Sequence, residues 1–157
     1  MYEKLIKEHQ LDLNKYRTAW AFMVGNPWEN SSDARIQINP TMFEEADQLA
    51  KLVLDGTKTA TASALSGYDE GEHIPEVDGK FDILLDGHGK PICAITTTKV
   101  YLVKFDQVSS EHAFKEGEGD RSLFYWREVH ENFFKEFGLF AHDMDIVCEE
   151  FEVIAKF

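Results

Sequence analysis

A short polar segment at residues 55–63 places a lysine and several hydroxyl side chains directly after an amphipathic helical pattern. Lys58 and Thr61 are three residues apart, so one turn-like conformation would bring an ammonium group close to a hydroxyl. A threonine hydroxyl is a weak nucleophile until a base or a neighbouring charge activates it, and a partly desolvated lysine can provide either. The spacing therefore allows nucleophilic catalysis, although lysine and threonine are also ordinary residues of an exposed loop.

An acidic segment at residues 116–120 adds carboxylates to these candidate site residues. Glu116 and Glu118 flank Gly117, so only one of the two side chains is expected to point inward. An inward carboxylate beside Lys58 would hold that lysine or transfer a proton during hydrolysis. The residues alone favour the alternative, a solvated acidic turn that caps a helix at Ser122, where negative charge is favourable.

The aromatic and cationic residues around position 126 separate by helix face. Trp126 falls on an apolar stripe and is predicted to lie in the core, whereas Arg127 and His130 are three residues apart on a neighbouring face. Arg127 is suited to pairing with a carboxylate or binding an anionic ligand, and His130 is also consistent with a structural histidine. Tyr125 and Trp28 are aromatic candidates for a site wall, with a core position as the alternative for Trp28.

Hydrophobic periodicity and breaking residues predict the elements that position these side chains. One helix or two are predicted at residues 4–24, and another helix from Pro40 to near Gly56. A short helix capped by Ser109 or Ser110 is predicted to stop at the glycines of residues 116–120, and the next helix, capped by Asp120 or Ser122, to end before Gly138. Strands are predicted at residues 81–86, 91–103 and 146–157, and a loop through Ile38. The second strand is long, so a bend is expected near residues 96–98. The pattern is typical of an α+β domain with antiparallel strands and helices packed outside.

The charge limits the partners. The chain of 157 residues carries a formal net charge of −13, and residues 105–157 hold thirteen acidic and five basic residues. Binding driven by phosphate neutralisation needs the opposite sign over a broad face, so long nucleic acids are disfavoured. No apolar stretch is long enough to span a bilayer and no signal peptide pattern is present, so we expect a cytoplasmic protein without a membrane partner.

Cofactor and metal motifs are not recognisable in the sequence. Cys93 and Cys148 lie far apart in strand-like segments without metal-ligand spacing, so buried reduced thiols are expected rather than a disulfide. A phosphate-binding glycine loop and a serine–histidine–aspartate arrangement do not stand out. We therefore expect no cofactor and no metal.

The chain resembles the ASCH domain family in two segments, GTKTATAS at residues 56–63 and EGEGDRSLFYWREVHENFF at residues 116–134, and in the β segment between them. The resemblance covers roughly residues 40–157 and is strongest to a bacterial branch that carries the acidic glycine signature. It implies a single domain over residues 1–157, with residues 1–38 as an N-terminal helical extension packed on a small PUA-like β-barrel of mostly antiparallel strands surrounded by helices. It also implies a cleft between barrel and helices that binds RNA or a nucleotide- or nucleoside-like ligand. The candidate ligand-binding residues are Gly56, Thr59, Ser63, Trp28, Tyr125, Arg127 and His130.

The same resemblance raises an enzymatic alternative. One small ASCH enzyme type removes the acetyl group from N4-acetylcytidine with a lysine, a threonine and a glutamate, which motif matching places on Lys58, Thr61 and Glu116. The first family motif commonly ends in arginine, where this chain has Ser63, and Arg127 offers a replacement cation. Ligand binding and amidohydrolysis both stay open, beside a protein-interaction domain without a ligand.

Overall fold

The computed structural model describes residues 1–29 and 39–157. These residues form helices α1 (Glu3–Glu8), α2 (Pro40–Leu54), α3 (Ser110–Glu116) and α4 (Leu123–Glu136), and strands β1 (Tyr16–Trp20), β2 (Ala60–Ala64), β3 (Phe81–Leu85), β4 (Pro91–Lys104) and β5 (Asp145–Lys156). The strand order in the sheet is β1-β3-β4-β5-β2. Strand β3 pairs antiparallel with β4, and β2 with β5, whereas β1 runs parallel to β3. The predicted α+β class with mostly antiparallel strands is confirmed, and closure into a barrel stays a prediction.

Helix α2 forms as its sequence predicts. The Asn39 side chain accepts a hydrogen bond from the backbone N–H of Met42, and Pro40 occupies the first turn, where its missing N–H costs nothing. The apolar face is buried, and the helix ends at Leu54 with Asp55 as its C-cap, before Gly56, whose φ is +86°. A left-handed conformation at this position suits glycine because no Cβ is strained.

The two strands predicted at residues 81–86 and 91–103 pair as a hairpin. Strands β3 and β4 are joined by a tight turn in which Asp86 Oδ1 accepts hydrogen bonds from the backbone N–H groups of His88 and Lys90. We predicted a bend near residues 96–98, whereas the described register irregularity lies between Leu84 and Leu85 of the partner strand. Strand β4 continues from its pairing with β3, which ends at Thr96, to Lys104.

The N-terminal segment differs from the helix predicted at residues 4–24. Helix α1 ends at Glu8, and strand β1 follows after a short 3₁₀ turn. Aromatic residues in Tyr16–Trp20 suit a strand, and the partner that selects this conformation is β3, which lies more than sixty residues further along the chain. Local spacing cannot reveal that pairing. The part of the predicted loop at residues 30–38 lies outside the described residues.

The chain divides into two compact units, and each has its own core. The first consists of residues 1–56, 78–96 and 152–157, and the second of residues 57–77 and 97–151. Buried apolar residues of the first include Ile6, Ala46, Ile83 and Leu85; those of the second include Phe105, Trp126, Phe134 and Ile146. The single domain with an N-terminal extension at residues 1–38 stays a prediction.

Both cysteines are buried free thiols, as predicted. Burial raises the pKa of Cys93 to about 11 and that of Cys148 to about 12, so neither thiol is reactive near neutral pH. Within residues 1–29 and 39–157, no helix combines the length and apolar character that a membrane span requires.

Candidate functional site

The centre of the candidate site is a buried lysine of the second unit. Lys58 lies between the end of α2 and the start of β2, and its side chain is only 1% exposed. Its Nζ donates to the backbone oxygen of Glu116 at 3.3 Å, to Glu116 Oε1 at 3.4 Å and to Glu118 Oε2 at 3.1 Å. A buried ammonium group is stable only when it is paired and hydrogen-bonded, and these three oxygens meet that requirement.

Glu116 is the most heavily contacted carboxylate of this cluster. It is the last residue of α3, and its Oε2 accepts hydrogen bonds from His112 Nε2 at 2.6 Å and from Trp126 Nε1. Its Oε1 contacts Lys58 and lies 3.8 Å from His130 Nε2. Side chains from α3, α4 and the segment before β2 therefore fix this one carboxylate.

The charge state of Glu116 follows from these contacts. Burial by itself would raise the pKa of this carboxyl group, because it disfavours the charged form. The Lys58 ammonium, the His112 hydrogen bond and the neighbouring histidine rings oppose burial, and together they lower the pKa from 4.5 to about 2. Glu116 is therefore a carboxylate at neutral pH.

The two histidines of the cluster have defined hydrogen positions. His130 Nδ1 lies 2.8 Å from the backbone oxygen of Trp126, which can only accept, so Nδ1 carries a hydrogen. The His130 ring stacks on the Trp126 indole with centroids 4.1 Å apart, and its Nε2 is directed towards Glu116. His112 donates through Nε2 to the Glu116 carboxylate, and its buried Nδ1 has no hydrogen-bond partner among the described residues. Each ring thus turns one nitrogen towards Glu116.

Two glycines shape the loop between α3 and α4. Gly117 has φ +74°, and a Cβ added there would lie 2.6 Å from the backbone oxygen of Thr57. Gly119 has φ +57°, and a Cβ there would lie 2.4 Å from the ring of Tyr125. Both positions combine a left-handed conformation with close packing, which only glycine tolerates without a shift. The close approach of residue 117 to residue 57 brings Glu116 within reach of Lys58.

Arg121 stabilises the conformation of the loop between α3 and α4. Its Nε donates to the backbone oxygen of Phe114 at 2.9 Å, and its Nη2 donates to that of Thr57 at 3.3 Å. The guanidinium group lies over the Phe114 ring, 3.6 Å from the centroid. Arg121 is a non-glycine residue with φ +64°, and these contacts stabilise that conformation.

A small pocket adjoins the buried pair. Its lining residues are Ala113, Glu116, Glu118, Ser122, Tyr125, Trp126, Val129 and His130. The free volume is about 10 Å³, which is close to the space of a single water molecule. A larger ligand can enter only after side chains of the lining move.

Four of the predicted site residues come together here. Lys58 and Glu116 form the buried pair, and Tyr125 and His130 line the pocket beside it. The solvated acidic turn favoured by the residues alone is wrong for Glu116, because its side chain is only 2% exposed. The expected helix cap at Ser122 is present: the Ser122 hydroxyl caps α4 by accepting a hydrogen bond from the Tyr125 backbone N–H.

The hydroxyl residues after Lys58 are placed differently from the predicted turn. Thr61 belongs to strand β2 and pairs with Glu149, so its side chain shares the sheet face of that glutamate. The Ser63 hydroxyl and the Tyr68 hydroxyl are 2.7 Å apart, and Thr59 Oγ1 donates to the backbone oxygen of Lys115 at 3.4 Å. The ladder with β5 extends the chain here, which a turn between Lys58 and Thr61 would not allow.

The remaining candidates have structural contacts of their own. Arg127 Nη2 donates to the backbone oxygens of Asp106 at 2.9 Å and Val108 at 3.4 Å, so this side chain ties α4 to the segment before α3. Gly56 and Trp28 belong to the first unit, where the Trp28 ring packs on Phe43. Ligand contacts of these residues stay predictions.

Sequence reasoning missed three partners of the buried pair. Glu118 contacts Lys58 together with Glu116, although only one inward carboxylate was expected. His112 is one helical turn before Glu116, a four-residue spacing that could have indicated their contact. The indole N–H of Trp126 gave no such signal, because an apolar stripe predicts only burial.

Comparisons with known proteins give consistent results. The family model for the ASCH domain matches residues 34–155. The crystal structure of an ASCH domain from Lactobacillus crispatus JV V101 is 31% identical in sequence, with a TM-score of 0.71, covering 99% of this chain and 87% of that one. Protein EF3133 from Enterococcus faecalis V583, of family DUF984, is 34% identical, with a TM-score of 0.73, covering 99% of this chain and 91% of that one. No curated protein matches the chain.

Proposed function

The chain belongs to the ASCH domain family, a PUA-like family, and from that premise we propose that it binds a nucleoside-like ligand beside the Lys58–Glu116 pair. One observation carries the proposal: Glu116, which is paired with the buried Lys58, lines a pocket together with Tyr125 and His130. Burying charged groups lowers the stability of the folded protein, and such groups are concentrated at functional sites. The pocket is therefore the place where we expect the ligand.

The chemistry of this cluster suits a nucleobase. The Lys58 ammonium is a donor for a carbonyl oxygen, and the Glu116 carboxylate accepts from an amino or imino group. The Tyr125 ring offers an aromatic face for stacking, the second mode by which proteins hold unpaired bases. A base edge carries donors and acceptors side by side, so the adjacent lysine and glutamate complement it.

The charge distribution favours a nucleoside over RNA. Each phosphate of an RNA strand would be brought towards a chain with a net charge of −13. Lys58 contacts the pocket-lining residues Glu116 and Glu118, so two carboxylates already surround its charge. Phosphate contacts normally dominate RNA affinity, and here they would be largely repulsive.

Amidohydrolysis of an acylated nucleoside is the second candidate, and one observation favours it. Lys58 Nζ and Glu116 Oε1 are 3.4 Å apart, and this contact would have to shorten when a ligand binds before a proton could be exchanged. The reaction also needs the Thr61 hydroxyl to attack the acyl carbon while Lys58 accepts its proton. Thr61 shares the sheet face of Glu149 instead, so ligand binding is the better supported function.

The test is calorimetric titration with the four common nucleosides, their 5′-monophosphates and a short single-stranded RNA, each at low and high salt. We expect saturable heat with at least one nucleoside and an affinity that changes little with salt, because no phosphate is involved. Absence of heat with every compound would contradict the proposal. Binding of the RNA but of no nucleoside, with a steep salt dependence, would mean that the ligand is RNA.

A further inference from the structure

We propose that Glu118 occupies the ligand's place on Lys58 and must be displaced before the ligand binds, which makes the site selective for uncharged, carbonyl-bearing nucleosides. This inference rests on the proposed function. It assigns Glu118 a role that its residue type alone does not indicate. The structural basis is the unequal way in which the two carboxylates on Lys58 are held.

Glu116 is fixed in place. Its side chain is 2% exposed and accepts hydrogen bonds from Lys58, His112 and Trp126. Moving it would remove one carboxylate from the buried Lys58 ammonium group and leave the buried ring donors of His112 and Trp126 without this acceptor. The penalty for each unpaired buried group makes that movement unfavourable.

Glu118 is held much more loosely. Its side chain is 25% exposed, and the partner described for its carboxylate is Lys58 Nζ, at 3.1 Å. A glutamate side chain is long and has several rotatable bonds, so the carboxylate can turn towards solvent while Gly117 and Gly119 keep their close packing. Solvent can take over the contacts of this carboxylate when it swings away, so its release is the easier change.

Release of Glu118 also provides space. Glu118 and Tyr125 both line the pocket, whose free volume of about 10 Å³ admits no nucleoside. The Tyr125 ring packs on Gly119, the residue after Glu118. Rotation of the Glu118 side chain into solvent would therefore uncover Lys58 Nζ, and a shift of the neighbouring Tyr125 ring would widen the pocket for the base.

The charge balance then determines the class of ligand. Once Glu118 has left, Lys58 and Glu116 form a pair without net charge, so a neutral carbonyl oxygen can replace the departed carboxylate on Nζ. A phosphate would instead approach Glu116, the displaced Glu118 and Asp120, all of which are negative. The repulsion between the phosphate and these carboxylates disfavours binding of a phosphorylated ligand. The site should hence prefer a nucleoside to its own 5′-monophosphate.

The first arm of the test measures access to Lys58 without any ligand. The protein is treated with a neutral amine-acetylating reagent, and acetylation of Lys58 is followed by peptide mass spectrometry, with the exposed Lys135 as internal reference. Glu118→Gln and Glu118→Ala should accelerate acetylation of Lys58 several-fold. Glu128→Gln is the matched control, because it removes one charge from an exposed position of α4 and should leave the rate unchanged.

The second arm measures affinity by calorimetry with a nucleoside and its 5′-monophosphate. Glu118→Gln should tighten nucleoside binding about fivefold, the factor expected for release of a partly exposed ion pair. The wild-type protein and Glu128→Gln should share one affinity. In all three proteins the monophosphate should bind more weakly than the nucleoside.

The two arms separate this inference from the proposed function. Equal Lys58 acetylation in the wild-type protein and both Glu118 variants would overturn the gating role, even if nucleosides bind. Unchanged nucleoside affinity in Glu118→Gln, or a monophosphate that binds more tightly than its nucleoside, would overturn it as well. Faster acetylation of Lys58 in the Glu118 variants, without binding of any nucleoside, would show that Glu118 covers Lys58. It would also show that a nucleoside is not the ligand.

Discussion

Lys58 Nζ lies 3.4 Å from Glu116 Oε1, and the two side chains are only 1% and 2% exposed. The residues are 58 positions apart, so the contact joins the segment after α2 to the end of α3. Taking both charges out of water is costly, and their mutual attraction offsets that cost only while both are present. The pair therefore couples the stability of the second unit to the integrity of the candidate site.

Removal of one partner should destabilise the protein far more than removal of both. Lys58→Met leaves Glu116 buried without its cation and is expected to lower the free energy of unfolding by about 3–5 kcal/mol. The double variant Lys58→Met, Glu116→Gln should recover a large part of that loss. Urea unfolding followed by circular dichroism measures the difference.

The exposed Glu131–Lys135 pair is the control for this comparison. Lys135→Met should change the unfolding free energy by less than about 1 kcal/mol, as is usual for a surface ion pair. Additive effects of the two single substitutions at Lys58 and Glu116 would show that the buried contact carries no coupling energy.

The stability of the protein should depend on pH through Glu116. Its pKa is lowered in the folded state from 4.5 to about 2, so the folded protein holds the carboxylate more strongly than the unfolded chain does. The resulting stabilisation is complete above pH 4.5 and is lost as the pH falls from 4.5 towards 2. Urea midpoints between pH 7 and pH 3 should fall less steeply for Glu116→Gln than for the wild-type protein.

Other carboxylates titrate in the same range, so Glu128→Gln is needed beside Glu116→Gln. Glu128 is exposed, and its variant should follow the wild-type curve. Parallel pH curves for the wild-type protein and Glu116→Gln would mean that Glu116 titrates normally in the folded state.

Gly117 should be less replaceable than another glycine in a similar backbone position. Gly117 and Gly138 both follow a helix with positive φ, +74° and +70°, but only at Gly117 would a Cβ meet a backbone oxygen, at 2.6 Å. Gly138→Ala should cost about 1–2 kcal/mol from the left-handed conformation alone. Gly117→Ala should cost about 1–3 kcal/mol more, because the Thr57 backbone must move.

Thermal unfolding of the two alanine variants makes this comparison directly. Equal losses would show that the close approach of residues 117 and 57 is easily relaxed. In that case the loop would not be what holds Glu116 beside Lys58.

The elements that frame the site were predictable because their signals are local. An asparagine cap before a proline defines the start of α2, and Ser109 and Ser122 cap α3 and α4. Apolar residues at helical spacing follow each cap, so the N-termini and the buried faces could be derived together. Strand β1 was missed because its pairing with β3 is a long-range contact.

The site itself was only partly predictable. The sequence indicated a carboxylate beside Lys58, but the residues alone favoured a solvated Glu116, and its side chain is in fact only 2% exposed. The inward position depends on the Trp126 N–H and on the close packing at Gly117, which arise from the tertiary structure. Arg127 was predicted to pair with a carboxylate or to bind an anionic ligand. Its Nη2 donates to the backbone oxygens of Asp106 and Val108, contacts that the sequence did not indicate, and a ligand contact of this residue stays a prediction.

Thr61 should have no part in ligand binding. Its side chain shares the face of Glu149, so Thr61→Val is expected to leave nucleoside affinity within about twofold of the wild-type value, the range of a neutral surface substitution. Hydrolysis of N4-acetylcytidine should be slow or absent in the wild-type protein. Chromatographic detection of cytidine measures the reaction, with Thr98→Val as an exposed control on β4.

A different outcome would favour the enzyme. Rapid release of cytidine that is lost in Thr61→Val and in Lys58→Ala, and retained in Thr98→Val, would establish amidohydrolysis at this site. The Thr61 side chain would then have to approach Lys58 during the reaction.

Binding of a nucleoside beside the Lys58–Glu116 pair should change the indole N–H signals in proton–nitrogen NMR spectra. The chain has three tryptophans, which single Trp→Phe variants assign. Trp126 Nε1 donates to Glu116, whereas Trp20 Nε1 donates to Asp82 at 2.9 Å in the other unit. Addition of the nucleoside with the strongest calorimetric signal should shift the Trp126 signal in a saturable manner and leave the Trp20 signal in place. An unchanged Trp126 signal at a saturating nucleoside concentration would mean that no nucleoside binds beside the Lys58–Glu116 pair.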